Sequence, residues 1–291
     1  MGISTVQICY NNGVSGGSVC SGAVSLNFGG APFATTAKHF GDGSSPSNYY
    51  QTGGGSSVSP QNWNGLIPAP FGSGDGYDAM TLVFCVYPVV LGDADKWYIF
   101  GSEGGNIIVG NWDLDGGFWI GARDSINATK SANNTGTGSP SDFGGLIPNQ
   151  WNAVYMTFRI TTSRDLVIWA NGAEVYNGTW GTGTNANHPM AWGGYCWVGL
   201  GDGFSGATDD GMECYLSYVW CKEEYLDPAT YWSSFFDGSN KPLDIGADGS
   251  SVTGSAPATF CPDADFTNNL GTADNWDEIG TVPAAPSSPT D

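Results

Sequence analysis

The stretch that most constrains this chain runs from Trp151 to Gly178, WNAVYMTFRITTSRDLVIWANGAEVYNG. Val154, Met156, Phe158 and Ile160 alternate with Tyr155, Thr157 and Arg159, the period-2 pattern of a strand with two different faces. A polar turn then leads into Leu166–Ala170, and Asn171-Gly172 closes a hairpin into Ala173–Tyr176. Asn-Gly is a strong hairpin signal because a type I′ turn needs positive φ at both central residues. Three antiparallel strands with one apolar face must cover that face with a second sheet. The expectation is an all-β chain.

Further strand patterns run over Ala23–Phe28, Met80–Pro88, Lys96–Phe100, Asn106–Gly110, Gly117–Gly121, Tyr195–Gly201 and Glu213–Cys221, with a short one at His39-Phe40. In Glu213–Cys221 strict alternation places Cys214, Leu216, Tyr218 and Trp220 on one face and Tyr215, Ser217 and Val219 on the other. Asp227-Pro228 is an N-cap followed by proline at the first helical position, so a short helix is predicted to Phe236. With 45 glycines and only 12% charged residues, the composition suits short strands joined by turns. The expected organisation is an N-terminal arm (1–22), a β-sandwich (23–236) and a C-terminal extension (237–291) on or beside it.

Trp151, Val154 and the Asn171-Gly172 hairpin resemble the core of the laminin-G / concanavalin A-like jelly roll. The resemblance implies an antiparallel β-sandwich jelly roll with long loops and one short helix. The tail adds a second likeness. Lys241-Pro242, Asp244, Gly246, Asp248-Gly249-Ser250, Thr253-Gly254 and Pro257, followed by Asn269-Leu270-Gly271-Thr272, resemble the C-terminal segment of laminin-G-like proteins encoded by tailed bacteriophages. That likeness implies a virion structural protein whose partners are other virion proteins and copies of itself.

Eight Lys plus Arg face 28 Asp plus Glu, a net charge of −20. Nucleic-acid binding needs a basic stripe to displace counterions, and this chain has none. No apolar stretch is long enough for a membrane span, and MGISTVQICYNNG lacks the basic and apolar regions of a signal peptide. The expected location is the virion surface, after assembly in a host cytoplasm. Seven cysteines at irregular spacing include no C-x-x-C pair. Cys85, Cys214 and Cys221 fall within strand patterns as small buried apolar residues, while Cys9 and Cys20 flank a glycine-rich loop and could pair.

The chemistry-bearing residues are few. Glycosidases of the resembled fold carry three carboxylates on one strand face, and Glu103, Glu174, Glu213, Glu223, Glu224 and Glu278 form no such pattern. His39 and His188 have neither triad nor metal-pair spacing and read as loop or surface residues. No catalytic residue is assigned, and the chain is expected not to be an enzyme. Asn111, Asp113 and Asp115, with Gly116, reproduce the start of a calcium loop, although position 12 is Ala122 rather than glutamate. The same residues also suit a polar β-turn, so calcium is the one candidate cofactor. Asp202 with Asp209-Asp210 is a weaker grouping. Loop aromatics Trp63, Trp112, Trp180 and Trp192 suit stacking on sugars or filling subunit contacts, and no carbohydrate-binding residue is assigned.

Together these features describe a non-enzymatic phage virion surface protein, a capsid decoration or a tail or fibre component. Its first rival is an adhesin that recognises host-surface carbohydrate. A glycan hydrolase, the second rival, needs two carboxylates about 5 to 9 Å apart in a cleft.

Overall fold

The computed structural model describes residues 5–7, 23–25, 35–40, 49–51, 79–89, 96–102, 107–112, 117–123, 129–133, 146–159, 165–179, 196–198, 213–273, 275–279 and 281–291. Two compact units divide the chain, Met1–Ala34 and Thr35–Asp291. In the first, β1 (Thr5–Gln7) pairs antiparallel with β2 (Ala23–Ser25). The strand expected to open the sandwich is therefore taken up by a partner in its own unit.

The second unit is an antiparallel β-sandwich of jelly-roll type. One sheet is ordered β12 (Ala173–Thr179), β11 (Asp165–Ala170), β10 (Asn152–Arg159), β5 (Ala79–Pro88), β14 (Cys214–Lys222) and β15 (Thr259–Cys261), with β3 (Lys38–Phe40) also on β14. The other is ordered β16 (Asp277–Ile279), β4 (Tyr49–Gln51), β13 (Cys196–Val198), β6 (Lys96–Ser102), β7 (Ile107–Trp112), β8 (Gly117–Arg123) and β9 (Thr129–Asn133). Among the described residues the one α-helix is α1 (Pro228–Phe235), capped by the Asp227 carboxylate, which accepts from Ala229 N.

The predicted meander lies at the centre of the first sheet. Val154 pairs with Ala170 across β10 and β11 and with Phe84 across β10 and β5. Asn171 and Gly172 take φ of 51° and 81°, as the tight turn requires. One face of the sheet turns inward: Leu82, Phe84 and Val86 join Val154, Met156, Phe158, Leu166 and Ile168 in the core, with Ile99 from the second sheet. The buried thiols of Cys214 and Cys221 belong to that core, and Cys85, Cys214, Cys221 and Cys261 are all free and buried.

Strand β14 departs from strict alternation. Its pairing with β5 shifts between Ser217 and Trp220, and Tyr218 takes φ of 54°. This is a β-bulge, with Tyr218 and Val219 set against Phe84 alone. Past the bulge the parity reverses. Cys214, Leu216, Val219 and Cys221 face the core, whereas Tyr218 and Trp220 lie on the opposite face. The expectation that Tyr218 and Trp220 share a face with Leu216 is corrected by that extra residue.

The outer face of the same sheet is covered by the chain that follows β14. Phe235 packs on Tyr155 and Trp220, Trp232 on Trp169, and Phe236 on Tyr218. Polar groups on this face bond to the covering backbone. Tyr155 Oη donates to Leu226 O at 3.0 Å, Tyr218 Oη to Leu243 O at 2.7 Å and Trp220 Nε1 to Gly249 O at 3.1 Å. Thr81 Oγ1 donates to Glu224 O at 2.6 Å and accepts from Leu226 N at 3.0 Å. A buried hydroxyl without such partners would cost about 1–3 kcal/mol. These aromatic and polar residues therefore require the covering segment.

Candidate functional site

Several residues of the Lys241–Thr272 tail segment make contacts that shape the backbone. Asp244 and Asp248 accept from the backbone N–H two residues on, Gly246 N at 2.9 Å and Ser250 N at 3.0 Å. Asp227, Asp237, Asp263 and Asp265 make the same local turn. Much of the tail's acidity thus shapes backbone. Gly249 takes φ of 72°, and a Cβ there would lie 3.0 Å from both Trp220 and Phe260. Lys241 Nζ donates to Thr290 O at 3.2 Å and Asp291 O at 2.7 Å. Asn269 Oδ1 accepts from Phe260 N and Gly271 N, and its Nδ2 donates to Ala258 O and Ala273 O.

Of the calcium candidates, Asn111 lies on β7 opposite Phe118 of β8. Asp113 and Asp115 lie outside the described residues, as do Trp63, Trp180, Trp192, His188, Asp202, Asp209, Asp210, Cys9 and Cys20. Among the described residues no three His, Cys, Asp or Glu side chains gather as a metal site.

His39 is neither a loop nor an open surface residue. It sits on β3 opposite Tyr215, with 31% of its side chain exposed, and its ring meets Tyr215 edge-on at 5.0 Å. Glu213 Oε1 lies 3.4 Å from His39 Nε2, within ion-pair range but without hydrogen-bond geometry. Tyr215 in turn stacks on Tyr87 at 5.0 Å, and Tyr87 meets Trp151 edge-on at 5.8 Å. Cross-strand register sets Tyr215 against both His39 and Tyr87, and Asn152 against Val86. Four half-buried rings therefore run side by side across β3, β14, β5 and the start of β10. The C-terminal residues bracket this row: Lys38 bridges to Ala284 at one end, and Trp151 Nε1 donates to Ser287 Oγ at 3.2 Å at the other.

At the Trp151 end the surface opens into a cleft of about 430 Å³. Cys85 and Ala153 line its base from the outer face of the sheet, and burial pushes the Cys85 thiol far above its ordinary value. One wall is the turn from Ile147 to Asn152, and the other is formed by Ser239–Lys241 and the tail residues Ser287–Pro289 and Asp291. Asn171 closes the hairpin end. Asn152 is buried and holds this end together. Its Oδ1 accepts from Ile147 N and from Asn171 Nδ2, both at 2.9 Å, and its Nδ2 donates to Ile147 O at 2.8 Å and Gln150 O at 2.9 Å. Asn171 Oδ1 accepts from Ala153 N at 3.0 Å. Asp291 is the one carboxylate side chain lining the cleft, and it accepts from Ser288 N at 2.7 Å. Trp151 and Asn171 are conspicuous in the sequence as fold signals. Their shared cleft is set by segments far apart in the chain.

No family model matches the chain, and no curated protein matches it in sequence. Several solved structures are similar to it. The native heptameric SAP-like pentraxin from Limulus polyphemus is 14% identical, with 66% of this chain and 78% of the pentraxin covered at a TM-score of 0.41. A Bacteroides ovatus protein to which carbohydrate binding has been ascribed is 17% identical, with 87% and 60% covered at a TM-score of 0.47. The receptor binding domain of botulinum neurotoxin mosaic serotype C/D is 12% identical, with 53% and 35% covered at a TM-score of 0.38. The chain thus spans 60% of the Bacteroides protein and about a third of that toxin domain. The likeness is one of broad architecture.

Proposed function

We propose that this chain is a non-enzymatic surface protein of a tailed-phage particle, a capsid decoration or a tail or fibre component built from several copies. The observation that carries the reading is the segment from Lys241 to Thr272. It resembles phage-encoded laminin-G-like proteins at the motif positions given above, and here those positions shape the tail. Asp244 and Asp248 close local turns, Lys241 holds the backbone of Asp291, and Gly249 O accepts from Trp220 Nε1 on the outer face of the sheet. The net charge of −20 supports the role further, since it keeps a glycine- and tryptophan-rich surface soluble at high copy number. Mass spectrometry of gradient-purified particles tests the proposal: peptides of this chain co-purifying with the capsid protein are expected, and their absence would refute it.

A second reading, recognition of host-surface carbohydrate, is favoured by the cleft at Trp151. An aromatic ring beside side-chain amides is chemistry that suits a sugar, whose carbon–hydrogen faces are apolar and whose hydroxyls both donate and accept. Glycan-array screening of the purified protein tests this reading, and an empty array would end it.

A further inference from the structure

We infer that the cleft between the Ile147–Asn152 turn and the Ser239–Lys241 turn is a saccharide site that takes an uncharged sugar residue. The inference rests on the carbohydrate reading above and gives it a location.

Three observations converge. The cleft's volume of about 430 Å³ falls within the ~300–1,000 Å³ typical of small-molecule pockets. Its rim has apolar surface exposed to water. Ile147 is 48% exposed, one of two large hydrophobic side chains so exposed among the described residues, and the half-buried Trp151 ring stands beside it. Finally, the polar groups divide into two sets. Asn152 and the Asn171 oxygen are committed to holding the walls together. Asn240 and Gln150 bring amide side chains to the same cleft and use neither in a hydrogen bond within the described structure. Each has a carbonyl acceptor and two N–H donors, the combination that reads a hydroxyl in either direction.

The charge pattern selects the class of sugar. Lys241 is the one cation of the lining, and its ammonium already donates to two backbone oxygens of the tail. Asp291 is the one anion, and it is occupied by Ser288. With one side chain of each sign, the lining carries no net side-chain charge, and a chain of net charge −20 repels acidic sugars at long range. An uncharged pyranose, one face against Trp151 and its hydroxyls on Asn240 and Gln150, satisfies both the walls and the field.

The test uses the full chain on a glycan array, followed by calorimetric titration with the best neutral oligosaccharide. Asn240 sits at φ of 62°, so Asn240→Gly removes the amide without straining the backbone. Gln150→Ala removes an exposed side chain. Each substitution is expected to weaken binding about tenfold, the worth of one hydrogen bond, with the unfolding midpoint unchanged. Array binding that both variants retain in full would overturn the location and leave the carbohydrate reading standing. Loss of binding on Asp113→Ala but not on Asn240→Gly would place the sugar at the β7–β8 connection instead. An array with no neutral-glycan signal would overturn the inference, and an array with no signal at all would sink the carbohydrate reading with it.

Discussion

Replacing Asn269 by alanine removes four N–H···O hydrogen bonds at once, and with them a long contact from the Cys261 thiol at 3.9 Å. Oδ1 accepts from Phe260 N at 2.9 Å and Gly271 N at 3.0 Å, while Nδ2 donates to Ala258 O at 3.0 Å and Ala273 O at 2.7 Å. The four losses are unequal. Phe260 is 1% exposed, so its N–H becomes a buried donor that water does not reach, at a cost of about 2 kcal/mol. Ala258 O keeps its bond from Ala273 N at 2.9 Å, and Gly271 and Ala273 are half-buried, where water replaces part of what is lost. At roughly 0.5 kcal/mol each these three add ~1.5 kcal/mol, for a total of about 3.5 kcal/mol. Urea unfolding followed by tryptophan fluorescence measures it. With an m-value of ~3 kcal/mol/M the midpoint falls by about 1 M at unchanged slope. A shift under ~0.3 M, worth about 0.9 kcal/mol at that m-value, would refute the claim that this motif residue fastens the tail.

The glycines of the tail supply an internal comparison. A Cβ on Gly271 would lie 2.4 Å from Ala258 O, so Gly271→Ala should cost ~3 kcal/mol or more in urea, whereas Gly254→Ala, with open space but φ of 79°, should cost ~1 kcal/mol. In the core, Leu82 is 1% exposed and Leu82→Ala should lower stability by ~2–5 kcal/mol in the same assay. At high pH, burial raises Cys85, Cys214 and Cys221 above 9.0 and Tyr155 above 10.0. The unfolded chain then loses protons that the folded chain keeps, so stability is full below pH 9 and declines as pH rises past 9 to 10; a flat urea midpoint from pH 8 to 11 would contradict this. At low pH, burial opposes the charge of Asp265, but bonds from Thr267 and Lys38 outweigh it and hold its carboxyl below 3.8. Its contribution is present above the unfolded value and lost as pH falls through the folded one, so Asp265→Asn should flatten the acid limb below about pH 4.

The legible parts of the fold were those whose pattern is local. Met80–Pro88, the Trp151–Tyr176 meander and the Asp227-Pro228 helix start each carry their own periodicity, turn or cap, and each is found as β5, β10 to β12 and α1. Strands β4, β15 and β16 have three residues apiece and went unread, because no periodicity shows in so short a run. They exist through pairing. Tyr50 lies between Val198 and Glu278, and Phe260 lies opposite Trp220. The bulge at Tyr218 was hidden for a related reason, since an inserted residue looks like any other until its neighbour strand is known. The cleft draws on Cys85, Trp151, Asn171, Asn240 and Ser287, and no spacing joins those positions. Asn171 illustrates the difference. Its turn conformation was readable from Asn-Gly, but its bonds to Asn152 and Ala153 depend on the folded sheet.

Cryo-electron microscopy of the intact particle tests the functional account most directly. The account predicts a two-sheet sandwich at the particle surface, repeated with the symmetry of the head or tail, with the Lys241–Thr272 layer packed on one sheet. A well-resolved particle surface with every density assigned to other chains would contradict it.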